Sequence, residues 1–325
     1  MIGDTITFVI TSITNKFLEL RVRVSYNSPM EKLNVFPDEE RRAQYAGSFY
    51  PGDPVDLTKT ISQFYFEAEK KDINGEIISM VSPHAGYVYS GHVAAAGFKL
   101  LEGMKYDVVV VISPSHADMF QGASIYNGGA YVTPLDKLYV DLELAVKMGN
   151  INPKVYLSTK GHTGGDVQRA EHALEVQLPF LQIVLGDFKL IPIVMGEQEW
   201  DVCVGLAEIL AGTLHDKKAL IVASSDLSHY KTASQAESLD NVVISNVTSF
   251  DPEGLGDAIG RRRCEACGAG PTIAAMLAAR KLGADKSELV KYAHSGEVSG
   301  DMDAVVGYMS AVQYKSKPVN TYTLE

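Results

Sequence analysis

Three apolar runs rich in β-branched residues each end in serine and then deliver a histidine, and this pattern limits what the chain can become. Ile77 to Val81 stops at Ser82-Pro83, with His84 next. Tyr106 to Ile112 stops at Ser113-Pro114, with Ser115-His116-Ala117-Asp118 behind it. Ala219 to Ala223 leads into Ser224-Ser225-Asp226-Leu227-Ser228-His229. Runs of this length read as buried strands, and a proline ends a ladder because it has no N–H to give. Strand-like runs alternate with helical patterns, so the chain is expected to be α/β, with a central mostly parallel or mixed sheet flanked by helices. Ligands in open α/β sheets sit at the carboxyl ends of the strands. Three strand ends then bring His84, His116 and His229 to one rim.

The remaining elements follow from periodicity and caps. Asp53 before Pro54 is a helix N-cap and first position, with the helix running to about Lys71. Further helices are expected at 91–102, 141–148, 201–214, 233–249 and 272–282. A helical pattern from Val167 to about Leu185 carries Glu171, His172 and Glu175, and Pro179 is expected to kink it. Strands are expected at 107–112, 122–126, 188–195, 219–223, 289–294 and 304–314. No composition break divides residues 41–315, which read as one domain. Residues 1–40 read as an N-terminal extension: ITFVITSIT and Phe17 to Val24 look like strands, and Pro29 to Glu40 looks like a linker. Met30 offers an alternative start, and residues 316–325 read as a C-terminal tail.

Charge and cysteine content exclude several classes. A formal net charge of −11 disfavours nucleic acid or an anionic membrane as partner, since phosphate binding needs a basic face. The Arg261-Arg262-Arg263 cluster is short and reads as solvated surface, with a local anion contact as the alternative. Three cysteines do not make a disulfide framework, so a reducing cytoplasm is expected. No apolar run approaches the roughly twenty residues of a membrane span, and the N-terminus lacks the basic region of a signal peptide.

Imidazoles from separate strand ends can converge on a metal ion, with a carboxylate or thiolate completing the set. His162, His215 and His294 read as surface or core residues, and His92 as a partly buried helix residue. Cys264-Glu265-Ala266-Cys267 has no second cysteine pair, so a structural zinc site has no other half. Cys267 precedes Gly268 and Gly270-Pro271 at a helix mouth, where the dipole is expected to lower its pKa and favour ligation. A small buried cysteine is the alternative, and Cys203 reads as core. Asp226 and His229 form a pair suited to proton transfer. A serine-hydrolase triad on Ser224 or Ser225 lacks its G-x-S-x-G elbow. Glu171 and His172 read as structural hydrogen-bonding groups, or as support near the site.

The segments RRAQYAGSFYP, SPHAGYVYSG, SPSHAD, EHALEVQLPF, SSDLSHY and CGAGP, in this order, resemble the Memo family over residues 41–315. Its archaeal and bacterial members are also labelled AmmeMemoRadiSam system protein B. The resemblance implies a fold similar to the class III non-haem iron extradiol dioxygenases of the LigB type. Those enzymes bind Fe(II) through two histidines and a glutamate, with a further histidine as acid/base. Carried over, it implies His84 and His116 as metal ligands and Cys267 where the dioxygenases use a carboxylate. His229 then matches the acid/base histidine, with Asp226 its neighbour in the pocket. A thiolate is softer than a carboxylate, which moves preference toward copper and weighs against ring opening. The resemblance implies an iron- or copper-binding, redox-active protein. The alternatives are a non-catalytic binding module in a complex and an oxygenase on an aromatic-diol-like substrate. The family label implies radical-SAM and Ammecr-type partners and leaves the small-molecule or peptide ligand undefined.

Overall fold

The computed structural model describes residues 34–163 and 170–317. In chain order the strands are β1 (Phe36–Arg41), β2 (Gly75–Ser82), β3 (Val108–Pro114), β4 (Ala123–Ile125), β5 (Gly128–Val132), β6 (Lys137–Tyr139), β7 (Val155–Leu157), β8 (Lys189–Met195), β9 (Ala219–Ser224), β10 (Asp226–Lys231), β11 (Lys286–His294) and β12 (Val305–Ser316). The helices are α1 (Pro54–Glu67), α2 (Tyr87–Phe98), α3 (Leu142–Gly149), α4 (Leu178–Leu185), α5 (Trp200–Leu214), α6 (Ala233–Thr248), α7 (Pro252–Gly260), α8 (Ala269–Lys281) and the single turn α9 (Gly296–Ser299).

The main sheet runs β10-β12-β2-β9-β3-β8-β4-β7, with β11 on β12. Its centre, β2-β9-β3-β8, is parallel, and β12 closes one side antiparallel to β2. The sheet is therefore mixed, flanked by helices, in one α/β unit as expected. Strands covered on both faces need apolar side chains at every position, which explains the unbroken Val108-Val109-Val110-Val111-Ile112 run. Each such side chain taken out of water contributes roughly 1.5–3 kcal/mol. Helix α8 packs on α5, β9, β2 and β3 and is buried along nearly its whole length. Its alanine-rich composition suits that position, because a helix that is small and apolar all round can be covered on all sides. None of the described helices is long and apolar enough to cross a membrane.

Three local expectations change. Phe36–Arg41 is a strand where a linker is expected, pairing parallel with β5 in a second sheet, β1-β5-β6. Its sequence, FPDEER, shows no apolar alternation because five of its six side chains face solvent and the backbone ladder holds it. Gly129 makes that pairing possible: a Cβ there would lie 1.8 Å from Pro37 O. The strand-like stretches within residues 6–24 lie outside the described residues. Between Val167 and Leu185 there is no continuous kinked helix among the described residues. Glu175–Gln177 form a 3₁₀ turn and α4 begins at Leu178, so Pro179 occupies the first turn, where its missing N–H costs nothing. Finally, His229 does not simply follow a strand end but lies within a strand: Asp226–Lys231 forms β10, antiparallel to β12 with irregular register and a left-handed Tyr230 (φ 57°).

Candidate metal centre

The carboxyl ends of β2, β3 and β9 lie side by side in the parallel centre, and each releases its chain into the same cleft. Ser82-Pro83 stops β2 and sets His84 just beyond it, while Pro114 ends β3 two residues before His116. Cys267 arrives from elsewhere, on the turn that opens α8. Gly268 allows that turn to reach the sheet, since a Cβ at this position would lie 2.1 Å from Ser224 O. One ligand atom each from His84, His116 and Cys267 all lie within 4.8 Å of one another. The three residues that the sequence singles out as a metal set are thus brought together.

Each imidazole is held from behind. His84 is buried, with Nδ1 2.9 Å from Ser224 Oγ and its backbone N–H donating to Asp226 Oδ1 at 2.7 Å. His116 is more exposed, with Nδ1 2.9 Å from Glu171 Oε1 and its backbone N–H donating to Glu171 Oε2. A carboxylate or hydroxyl behind a histidine fixes the ring and frees the other nitrogen for a ligand. His84 Nε2 lies 3.1 Å from Cys267 Sγ, and the Asp226 N–H donates to that sulfur at 3.2 Å. Asp226 is buried at the base of the cleft, its Oδ2 3.9 Å from His84 Nε2. His229 lies on β10, with Nδ1 bonded to Leu227 O at 2.9 Å, near enough to interact electrostatically with His84 and Asp226.

Burial dominates the electrostatics. It pushes His84 down to about 3, with the neighbouring His116 charge adding to the effect. It opposes protonation of His116 too, but the Glu171 carboxylate outweighs it and raises that histidine. Burial works against an ionised Glu171, yet the bond and charge of His116 bring this carboxyl down to about 2. The Cys267 thiol is raised well above its ordinary value by burial and by the Asp226 and Glu171 charges. This corrects the expectation that the helix mouth lowers it: one helix dipole does not offset desolvation beside two carboxylates. The thiol and the His84 imidazole are therefore neutral donors, whereas the Glu171 carboxylate favours the protonated form of His116; a bound cation would favour the thiolate and displace that His116 proton. The donor set fits a thiophilic or borderline first-row metal.

His172, read from the sequence as a structural hydrogen-bonding group or as support near the site, lies beside the cluster. It stacks in the same cleft, its ring centroid 4.7 Å from His116 and 5.4 Å from His84, with Nδ1 3.2 Å from Glu171 Oε1. Tyr45 and Phe49 cover its other side. Burial lowers His172 to about 4, helped by the His84 charge. The Glu-His pair was visible in EHALEVQLPF, but helical spacing was the wrong ruler for a segment that is not helical there. His162, expected as a surface or core residue, is a core one: Nδ1 is 2.5 Å from Tyr131 OH and Nε2 3.0 Å from Ser124 O. His215 caps a helix end against Gly212 O, and Cys203 and Cys264 are free and buried.

The chain is similar to known proteins over most of its length. Residues 41–312 match the family model described as Memo-like protein. A MEMO1 family protein of Methanosarcina mazei is 39% identical over 277 residues, covering 84% of this chain and 99% of that one. A MEMO1 family protein of Methanobrevibacter smithii is 33% identical over 284 residues, with the same coverage of both. Among solved structures, an uncharacterized Escherichia coli K12 protein matches with a TM-score of 0.47 and 14% identity, covering 73% of this chain and 99% of that one. With its matched length and these relatives, the chain belongs to the Memo family.

Proposed function

We propose that this protein holds a redox-active first-row metal ion, iron or copper, through His84 Nε2, His116 Nε2 and Cys267 Sγ. The observation that carries the reading is the clustering of these donors within 4.8 Å, with the far nitrogen of each imidazole already engaged. A bound ion would supply electron exchange and a Lewis-acidic centre. The chain's own residues do the rest. Ser224 and Glu171 orient the two imidazoles, and Asp226 holds the Cys267 turn through its own N–H. Asp226 and His229 are the groups available to hold or move a proton beside the cleft. Two imidazoles and one thiolate leave positions for an external ligand.

Elemental analysis of anaerobically purified wild type and Cys267→Ala tests this directly. Near-stoichiometric iron or copper in the wild type, lost in the variant, is the expected result. Absence of metal in the wild type after reconstitution would sink the proposal. An oxygenase reading has one observation in its favour: the Asp226 carboxylate, 3.9 Å from His84 Nε2, supplies the acid that Cys267 replaces in the ligand set. It requires oxygen uptake with an aromatic diol that disappears in His229→Ala, and no uptake across a broad diol panel would exclude it.

A further inference from the structure

We propose that Ser224, locked by Gln177, is a positioning residue that holds His84 in the Nδ1–H tautomer and so keeps Nε2 bare toward Cys267 and His116. The purpose of that tautomer rests on the metal reading above, whereas the tautomer itself follows from counting protons. Ser224 Oγ has one proton and two lone pairs. Ala173 O, 2.7 Å away, can only accept, so it takes the proton. Gln177 Nε2 donates into one lone pair at 2.7 Å. The amide cannot be turned over, because the same Nε2 is 3.0 Å from Pro83 O and 3.4 Å from Ala173 O, and a flipped amide would set oxygen against oxygen. One lone pair is left, and it faces His84 Nδ1 at 2.9 Å. Nδ1 therefore carries the ring proton.

The chain of donors then runs one way. Cys267 Sγ, 3.1 Å from His84 Nε2, donates its thiol proton to that nitrogen in the metal-free protein, with Asp226 O a more distant acceptor at 3.6 Å. That thiol proton and that Nε2 lone pair are what a metal ion would displace and occupy. Ser224 and Gln177 are fully buried. Gln177 Oε1 is buried with no hydrogen-bond partner among the described residues, a cost that an apolar side chain of similar length would avoid. The donor end of the amide is the part this position uses.

The test begins on metal-free protein labelled with ¹⁵N-histidine, where two-bond ¹H–¹⁵N correlations read the His84 tautomer. The wild type is expected to show Nδ1–H. Ser224→Ala strands that proton, so the ring is expected to move to Nε2–H, donated to Cys267. Iron(II) affinity by chelator competition should then fall about 10–100-fold. Ser224→Thr, which keeps the hydroxyl, should restore both readings. An Nε2–H wild type overturns the inference even if no variant folds, and so does an unchanged tautomer and affinity in Ser224→Ala. If the wild type shows Nδ1–H but binds no metal, the proposed function falls while the tautomer assignment stands.

Discussion

Replacing Glu175 by alanine should damage this protein more than any change at its surface. Its carboxylate is fully buried and pairs with the buried Arg41 guanidinium. It also accepts the Tyr50 hydroxyl at 2.6 Å and the N–H groups of Tyr45, at 2.9 Å, and Gln44. Removing it leaves a charged guanidinium in the interior with no carboxylate partner among the described residues, held by His162 O at 2.9 Å, Glu171 O at 2.7 Å, Arg42 O at 3.3 Å and the Tyr131 ring at 5.0 Å. Breaking one side of a buried pair costs about 3–5 kcal/mol. Urea unfolding of the metal-free protein should show that loss with little change in slope. The double variant Arg41→Met, Glu175→Leu should lie closer to wild type than Glu175→Ala, because no unpaired charge remains. Since Arg41 also anchors the Glu171 backbone, Glu175→Ala should loosen the His116 bond as well. A stability loss below about 1 kcal/mol would refute the view that this network is dry and closed, given the scale for buried pairs.

Other consequences are as specific. His84 and His162 sit near 3 and His172 near 4, all chiefly through burial. The folded state keeps them neutral while the unfolded chain takes protons below about pH 6.5. Stability of the metal-free protein should therefore fall as pH drops from about 6.5 toward 4, by roughly 1.4 kcal/mol per pH unit for each histidine. His116 is raised, so its opposite slope belongs above that window; a flat urea-stability profile between pH 6 and 4 would count against neutral buried imidazoles. Gly268→Ala drives a Cβ into Ser224 O and should cost about 1–3 kcal/mol. Metal content in that variant should fall with stability, and an unchanged protein would show the turn is slack. Burial raises the Cys203 thiol to about 12, so it should resist iodoacetamide in native protein at pH 8 and react only in denaturant, as read by mass spectrometry.

The central sheet was legible because strands covered on both faces are apolar at every position, so Val108–Pro114 and Ala219–Ser224 announce themselves. His84 and His116 were legible for a related reason: a proline marks the strand end, and strand ends mark the cleft. The small sheet was not. Neither FPDEER nor the glycine pair in GGAYV carries a period-2 pattern, and backbone contact at Gly129 decides their pairing. Gln177 was also hidden as a positioning group, and Glu171 was legible as structural or supporting without its partners. Their importance lies in which atoms they face from other parts of the chain, not in spacing. The acidity of Cys267 was misjudged because a helix mouth is visible in sequence and desolvation is not.

The central claim is that two imidazoles and one thiolate hold the metal. X-ray absorption at the metal edge of the anaerobically reconstituted protein tests it most directly. The account predicts one sulfur neighbour together with nitrogen neighbours, the sulfur disappearing in Cys267→Ala. A shell of nitrogen and oxygen alone in the wild type would contradict it.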